Sequence, residues 1–138
     1  MIPEKQISTA RTTILVVFIF TLINIFAIAF TDTYFLYSAY VPQVFIAFAV
    51  FEAPSLLMPM VIASIVYMFP YLLCYLFSKN RRGWMKFALI LFTIDSILFG
   101  LDFISMLAMG EFYFILDLVI HVIVLINLFT GLRAYSKD

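Results

Sequence analysis

The chain has 138 residues, 66% of them apolar and 19% aromatic, with a mean hydropathy of +1.16. Soluble domains run at roughly 45 to 50% apolar, so this composition excludes an ordinary soluble enzyme or binding module and sets a polytopic membrane protein as the expectation. Eight basic residues balance eight acidic ones, and a net charge of zero leaves no basic excess for a nucleic-acid partner.

The length allows one transmembrane domain, residues 1–138. Four apolar runs, at about 12–30, 56–77, 84–108 and 112–132, each approach the ~20 residues that cross a hydrocarbon core. The expected fold is therefore all-α, an integral membrane four-helix bundle.

Lys5 and Arg11 precede the first run, Ser8 and Thr9 are placed to cap its start, and Thr31-Asp32-Thr33 marks a polar exit. The run ends in Ala27-Ile28-Ala29, the small-x-small form of a signal-peptide cleavage site, but it is longer than a signal h-region and reads as a retained span. Asn24 is its one strongly polar interior residue, roughly 9 Å from the end at Phe30 at ~1.5 Å per residue.

The segment 33–55 is apolar but interrupted by Pro42, Gln43, Glu52 and Pro54. A fifth span here would put the later basic cluster on the wrong side of the membrane, so the segment is expected to be interfacial or re-entrant on the outer face, a candidate lid. Tyr34, Tyr37 and Tyr40 recur at three-residue spacing, which suits one side of a short helix near the membrane interface.

The second run carries Pro54 and Pro59 near its start and Pro70 inside, where a kink is expected. Cys74, the single cysteine, has no intrachain disulfide partner and reads as a small apolar side chain. The turn Ser78-Lys79-Asn80-Arg81-Arg82-Gly83 leads into Trp84 and Lys86, an interfacial ring and a lysine able to snorkel. Every basic residue falls in one of three clusters: Lys5 with Arg11, Lys79 to Lys86, and Arg133 with Lys137. One positive-inside assignment satisfies them all, with both termini cytoplasmic in a multi-pass protein of the plasma membrane.

The third and fourth runs hold the chemistry. Asp95 and Asp102 are seven residues apart, within ~20° of one helix face, and Asp117 and His121 are one turn apart. An acidic side chain near a bilayer centre costs roughly 2.5 to 3.5 kcal/mol, so these residues are expected to face inward, where the two stripes can meet. By ~1.5 Å per residue they form a ladder: Asp102 and Asp117 roughly 9 and 8 Å from the outer surface, His121 roughly 14 Å, Asp95 roughly 20 Å. Asp32 and Glu52 would extend it to solvent.

Three readings stay open. Asp102, Asp117 and His121 have the ligand chemistry for a divalent metal such as Zn, Mn or Fe, with an open position for chemistry. Asp95, with Asn24 nearby, suits a proton or polar relay in which His121 also takes part. In the third, the polar groups only hold helices together through hydrogen bonds. Asn127 lies off the Asp117/His121 stripe and is expected to bond across helices, while Ser96 and Gly100 form a small-xxx-small strip for close helix packing. No Gly-x-Ser-x-Gly, His-Glu-x-x-His or Gly-rich phosphate loop is present.

The strings Asp32-Thr33-Tyr34-Phe35, Pro70-Tyr71-Leu72-Leu73-Cys74, Ser78-Lys79, Gly83-Trp84 and Asp117-x-x-x-His121 together resemble small uncharacterised four-helix integral membrane proteins of Gram-positive bacteria. The resemblance implies a bacterial plasma membrane and carries no activity. The expected function is an outward-facing Asp/His site that binds a cation, metal or proton, for transport, sensing or metal-dependent chemistry. The alternative is a non-catalytic accessory subunit of a larger membrane complex. Expected partners are the lipid bilayer and a second copy or a larger membrane protein.

Overall fold

The computed structural model describes residues 3–31, 38–110 and 115–135. Their secondary structure is entirely helical: α1 Pro3–Thr31, α2 Tyr40–Phe51, a single 3-10 turn Pro54–Leu56, α3 Leu57–Phe77, α4 Arg82–Ala108 and α5 Ile115–Ala134. All but α2 of these five helices are long and apolar enough to cross a membrane. Phe26, Phe69, Ile97, Leu101 and Ile126 are among many large apolar side chains left exposed, because so apolar a chain has more hydrophobic surface than its own interior can hold.

The spans expected at 56–77 and 84–108 correspond to α3 and α4 within two residues. The first helix differs. It begins at Pro3, with Glu4 in its first turn, so Ser8 and Thr9 lie inside the helix and do not cap it. The helix needs no apolar residues to extend: its polar first two turns are exposed on one side and pack against α5 on the other, where Ala10 is fully buried. α3 runs unbroken through Pro70.

α1 packs on α5 and α3, and α4 packs on the same two helices, closing a bundle of four. The α1–α5 contact is the tightest: a Cβ added to Gly131 would lie 2.3 Å from the Ala10 Cβ and 3.3 Å from the Gln6 carbonyl oxygen. Thus Gly131 is the small residue that lets two helices approach, whereas a Cβ on Gly100, expected to play that part, would meet nothing within 4 Å. Asn127 Nδ2 bridges the same helix pair, donating to Thr13 Oγ1 at 3.2 Å. The main core is built from Ile14, Val17, Met68, Tyr71, Cys74, Phe92, Val124 and Leu128.

One end of the bundle gathers the basic residues. Arg11 donates through Nε and Nη2 to the Tyr75 carbonyl, at 3.3 and 2.8 Å, and its guanidinium sits 4.8 Å from the Tyr75 ring centre. Arg82 donates to the Leu132 carbonyl at 3.4 Å, and the Tyr135 hydroxyl donates to the Ser78 carbonyl. These bonds use carbonyls at and beyond helix C-termini that have no partner inside their own helices.

α2 enters from the opposite end. It lies against α1, α3 and α4, with Pro42, Ile46 and Ala49 buried. Ala39, just before it, is hydrogen-bonded to Thr21, ten residues or about 15 Å inside the far end of α1. Tyr40 is bonded to Asp95, thirteen residues or about 20 Å inside the far end of α4. The twelve residues of α2 then climb ~18 Å back out, ending at the exposed Glu52. Within the segment expected to be interfacial or re-entrant, α2 is a helix whose N-terminus lies deep in the bundle. Tyr34 and Tyr37, expected to line one side of it with Tyr40, lie outside the described residues, as does Asp32.

Candidate functional site

The centre of the bundle is organised around the start of α2. A helix leaves its first four backbone N–H groups without internal partners, and in an interior without water each must be met by another group. Ala39, in the capping position, has no side chain that can do this. Other helices supply the acceptors. The Ala39 N–H donates to Thr21 Oγ1 at 2.9 Å, the Tyr40 N–H to Asp95 Oδ2 at 2.8 Å and the Val41 N–H to Asp95 Oδ1 at 2.9 Å. The fourth position is Pro42, which has no N–H to satisfy.

Asp95 therefore caps a helix on which it does not lie. Its side chain is completely buried, and Oδ1 also accepts the Tyr67 hydroxyl at 3.1 Å. Three donors and the positive end of the α2 dipole converge on one carboxylate. Asn24 supports the same turn from α1: it is buried, and its Nδ2 donates to Ser38 Oγ at 3.0 Å.

His121 stands beside this cap. Its ring is 5% exposed and lies between Phe92 and Phe99, with ring centres 5.0 and 4.7 Å away. Nε2 is 3.7 Å from Asp95 Oδ2, the oxygen that holds the Tyr40 N–H, and neither ring nitrogen has a hydrogen-bond partner among the described residues. Beyond ~3.2 Å an N–H···O contact is outside the normal range, so the imidazole is poised next to the carboxylate without being bonded to it. The Tyr71 hydroxyl, one turn from Tyr67, is also buried, and among the described residues no group meets it at full hydrogen-bond geometry.

The residues singled out from the sequence divide into three settings. Asp95 and His121 meet. Asn24 is drawn into the anchoring of the re-entrant segment. Asp102 is exposed on α4 and accepts the Tyr40 hydroxyl at 2.7 Å through Oδ2, so Tyr40 reaches Asp95 with its backbone and Asp102 with its side chain. Asp117 is half-buried in the first turn of α5, where the helix dipole favours an acid, and has no hydrogen bond or ion pair among the described residues. No group of three or more His, Cys, Asp and Glu side chains that could hold a metal ion occurs among the described residues, so Asp102, Asp117 and His121 are not gathered into a three-ligand set there.

Three participants were missed in the sequence: Thr21, Tyr67 and the backbone of residues 39–41. Thr21 was legible in principle, because it sits three residues before Asn24 and so shares its helix face. The pair Tyr67 and Tyr71, four apart, likewise marks a polar edge on an apolar helix. No family model, curated protein sequence or solved structure matches the chain.

Proposed function

We propose that the protein is a multi-pass protein of a bacterial plasma membrane, with both termini cytoplasmic, that binds a proton at the buried Asp95–His121 pair and couples it to the seating of α2, for sensing or transport. The orientation rests on the basic residues, whose described members gather at one end of the bundle while α2 enters from the other. The proton site rests on one observation: the oxygen that faces His121 Nε2 at 3.7 Å is the oxygen that holds the Tyr40 N–H.

The coupling follows from sharing that oxygen. A neutral imidazole leaves Asp95 Oδ2 to the first amide of α2. Protonation turns Nε2 into a charged donor, and closing ~0.8 Å brings it to normal bonding distance of the same oxygen. Charge on the imidazole also offsets the pull of the carboxylate on the α2 N-terminus, so the protonated pair holds α2 less firmly. The other titratable groups around the pair are the Tyr67 and Tyr71 hydroxyls of α3, with Tyr40 from α2. The α1 side chains serving the same turn, Thr21 and Asn24, are neutral, and Asp117 lies one turn along α5.

The test is a nitroxide spin label attached to a cysteine at the exposed position 48 of α2, in a Cys74→Ala background, whose accessibility to a water-soluble relaxation agent is measured across pH 3.5 to 8 in reconstituted protein. Accessibility should rise as pH falls, and the pH dependence should vanish in His121→Gln. An unchanged pH profile in His121→Gln ends the proposal. Proton flux measured in the same liposomes separates transport from sensing.

The accessory-subunit reading has one observation in its favour, the Ser96/Gly100 strip, where a Cβ added to the glycine would meet nothing within 4 Å among the described residues. Loss of a co-purifying membrane partner on Gly100→Leu would carry that reading instead.

A further inference from the structure

A cleft of about 500 Å³ opens between the first half of α2 and the outer half of α4, lined by Tyr40, Val44, Phe45, Leu98, Asp102 and Ser105 among others. Its size falls within the ~300 to 1,000 Å³ of small-molecule sites, and like them it is mostly apolar with a few polar groups. We infer that this cleft binds a lipophilic organic cation, an ammonium or phosphonium centre on an apolar body, with Asp102 as its counter-charge.

The charge of the occupant follows from Asp102. Its Oδ2 accepts the Tyr40 hydroxyl at 2.7 Å, and no other hydrogen bond or ion pair reaches the side chain among the described residues. A carboxylate on an apolar cleft wall, held by one neutral donor, is left without a balancing charge. The apolar body follows from the walls: valine, phenylalanine and leucine side chains offer no ligands to a hydrated ion. A divalent metal is a poor fit to one carboxylate, since calcium takes six to eight oxygens and zinc three or four protein ligands. The rings of Tyr40 and Phe45 add faces on which a bulky cation is attracted. The carboxylate that carries this site is distinct from the pair proposed to bind a proton, Asp95 and His121, which lies deeper in the bundle, although Tyr40 touches both aspartates.

The experiment measures binding of tritiated tetraphenylphosphonium to the purified full-length protein in nanodiscs of zwitterionic lipid. Binding should saturate at one per chain, be displaced by dodecyltrimethylammonium, and resist dodecanol, which has the same tail without the charge. Asp102→Asn should weaken it by about tenfold or more, the loss of a charge-assisted contact, while Asp102→Glu retains it. Leu98→Trp, on an exposed position, should block the cleft with the carboxylate intact, and its thermal unfolding shows whether the fold is kept. His121→Gln should bind as wild type, so this proposal and the proton proposal fail separately. Undiminished binding in Asp102→Asn, equal displacement by dodecanol, or no saturable binding would each overturn the inference.

Discussion

Replacing Asp95 with alanine removes the acceptor of the Tyr40 N–H, the Val41 N–H and the Tyr67 hydroxyl. The hydroxyl has an alternative, since the Tyr71 ring centre is 6.2 Å from that of Tyr67 and the Tyr71 hydroxyl has no partner. The two amides have none. At ~1 to 3 kcal/mol for each buried donor left unsatisfied, keeping α2 in place would cost about 2 to 6 kcal/mol. That penalty can be escaped locally. α2 is 12 residues long and buries only Pro42, Ile46 and Ala49, so lifting it toward water costs less than unfolding the bundle. The loss should therefore appear in the hydrogen exchange of the α2 amides, accelerated from roughly 30-fold to more than 10,000-fold at ~1.4 kcal/mol per decade, up to the ceiling set by the helix's own packing. Asp95→Asn keeps one acceptor oxygen but turns an NH₂ toward the second amide, so its acceleration should be intermediate. Amides of the α1–α5 core should be unaffected in both. If the α2 amides exchange in Asp95→Ala at the wild-type rate, the cap does not hold the re-entrant helix and the reasoning is wrong.

Gly131→Ala should lower stability by about 1 to 3 kcal/mol, because a Cβ 2.3 Å from the Ala10 Cβ has no rotamer to escape into and the ~1 kcal/mol gained in helix propensity does not offset it; thermal unfolding in detergent reads the loss, and adding Ala10→Gly should restore most of it. Tyr40→Phe should cost about 0.5 to 1.5 kcal/mol in the same assay, the worth of the bond to Asp102, and should add nothing when combined with Asp102→Ala, which removes the acceptor. Arg11→Lys should cost about 1 kcal/mol despite keeping the charge, since an ammonium cannot reproduce the two-pronged bond to the Tyr75 carbonyl together with the stacked ring; an unchanged melting curve would refute that account.

What could be read from the sequence was whatever depends on composition along one helix. The spans expected at 56–77 and 84–108, which come within two residues of α3 and α4, follow from runs of apolar residues, and the shared end of the basic clusters from the alternation of direction between successive spans. The start of α1 was missed because a polar helical turn needs no hydrophobic signal. The expected metal trio relied on spacing within α4 and α5, but which stripe faces which is set by α2, which inserts between α1, α3 and α4 and takes Asp95 and Asp102 as partners for Tyr40. Helix α2 was hard to see because Ala39 carries no capping side chain: the cap lies 55 residues beyond Tyr40, in another helix.

The anomalous polar residues can be separated by asking which ones the re-entrant helix requires. A helix N-terminus buried inside a bundle needs acceptors for its free amides, and Thr21 and Asp95 meet that need in full, with Asn24 steadying the turn before it. Tyr67 completes the carboxylate's hydrogen bonds. None of this requires an imidazole. Among the described residues His121 makes no hydrogen bond and supports no backbone group, and it occupies a position between Phe92 and Phe99 that a leucine or phenylalanine would fill without desolvating two ring nitrogens. The same subtraction leaves the free oxygen of Asp102, since the bond to Tyr40 uses only one. Residues that a fold does not need, and that destabilise it where they stand, are the ones whose presence calls for a visitor: the proton proposed at His121 and the organic cation inferred at Asp102 would each supply a partner that the described residues do not.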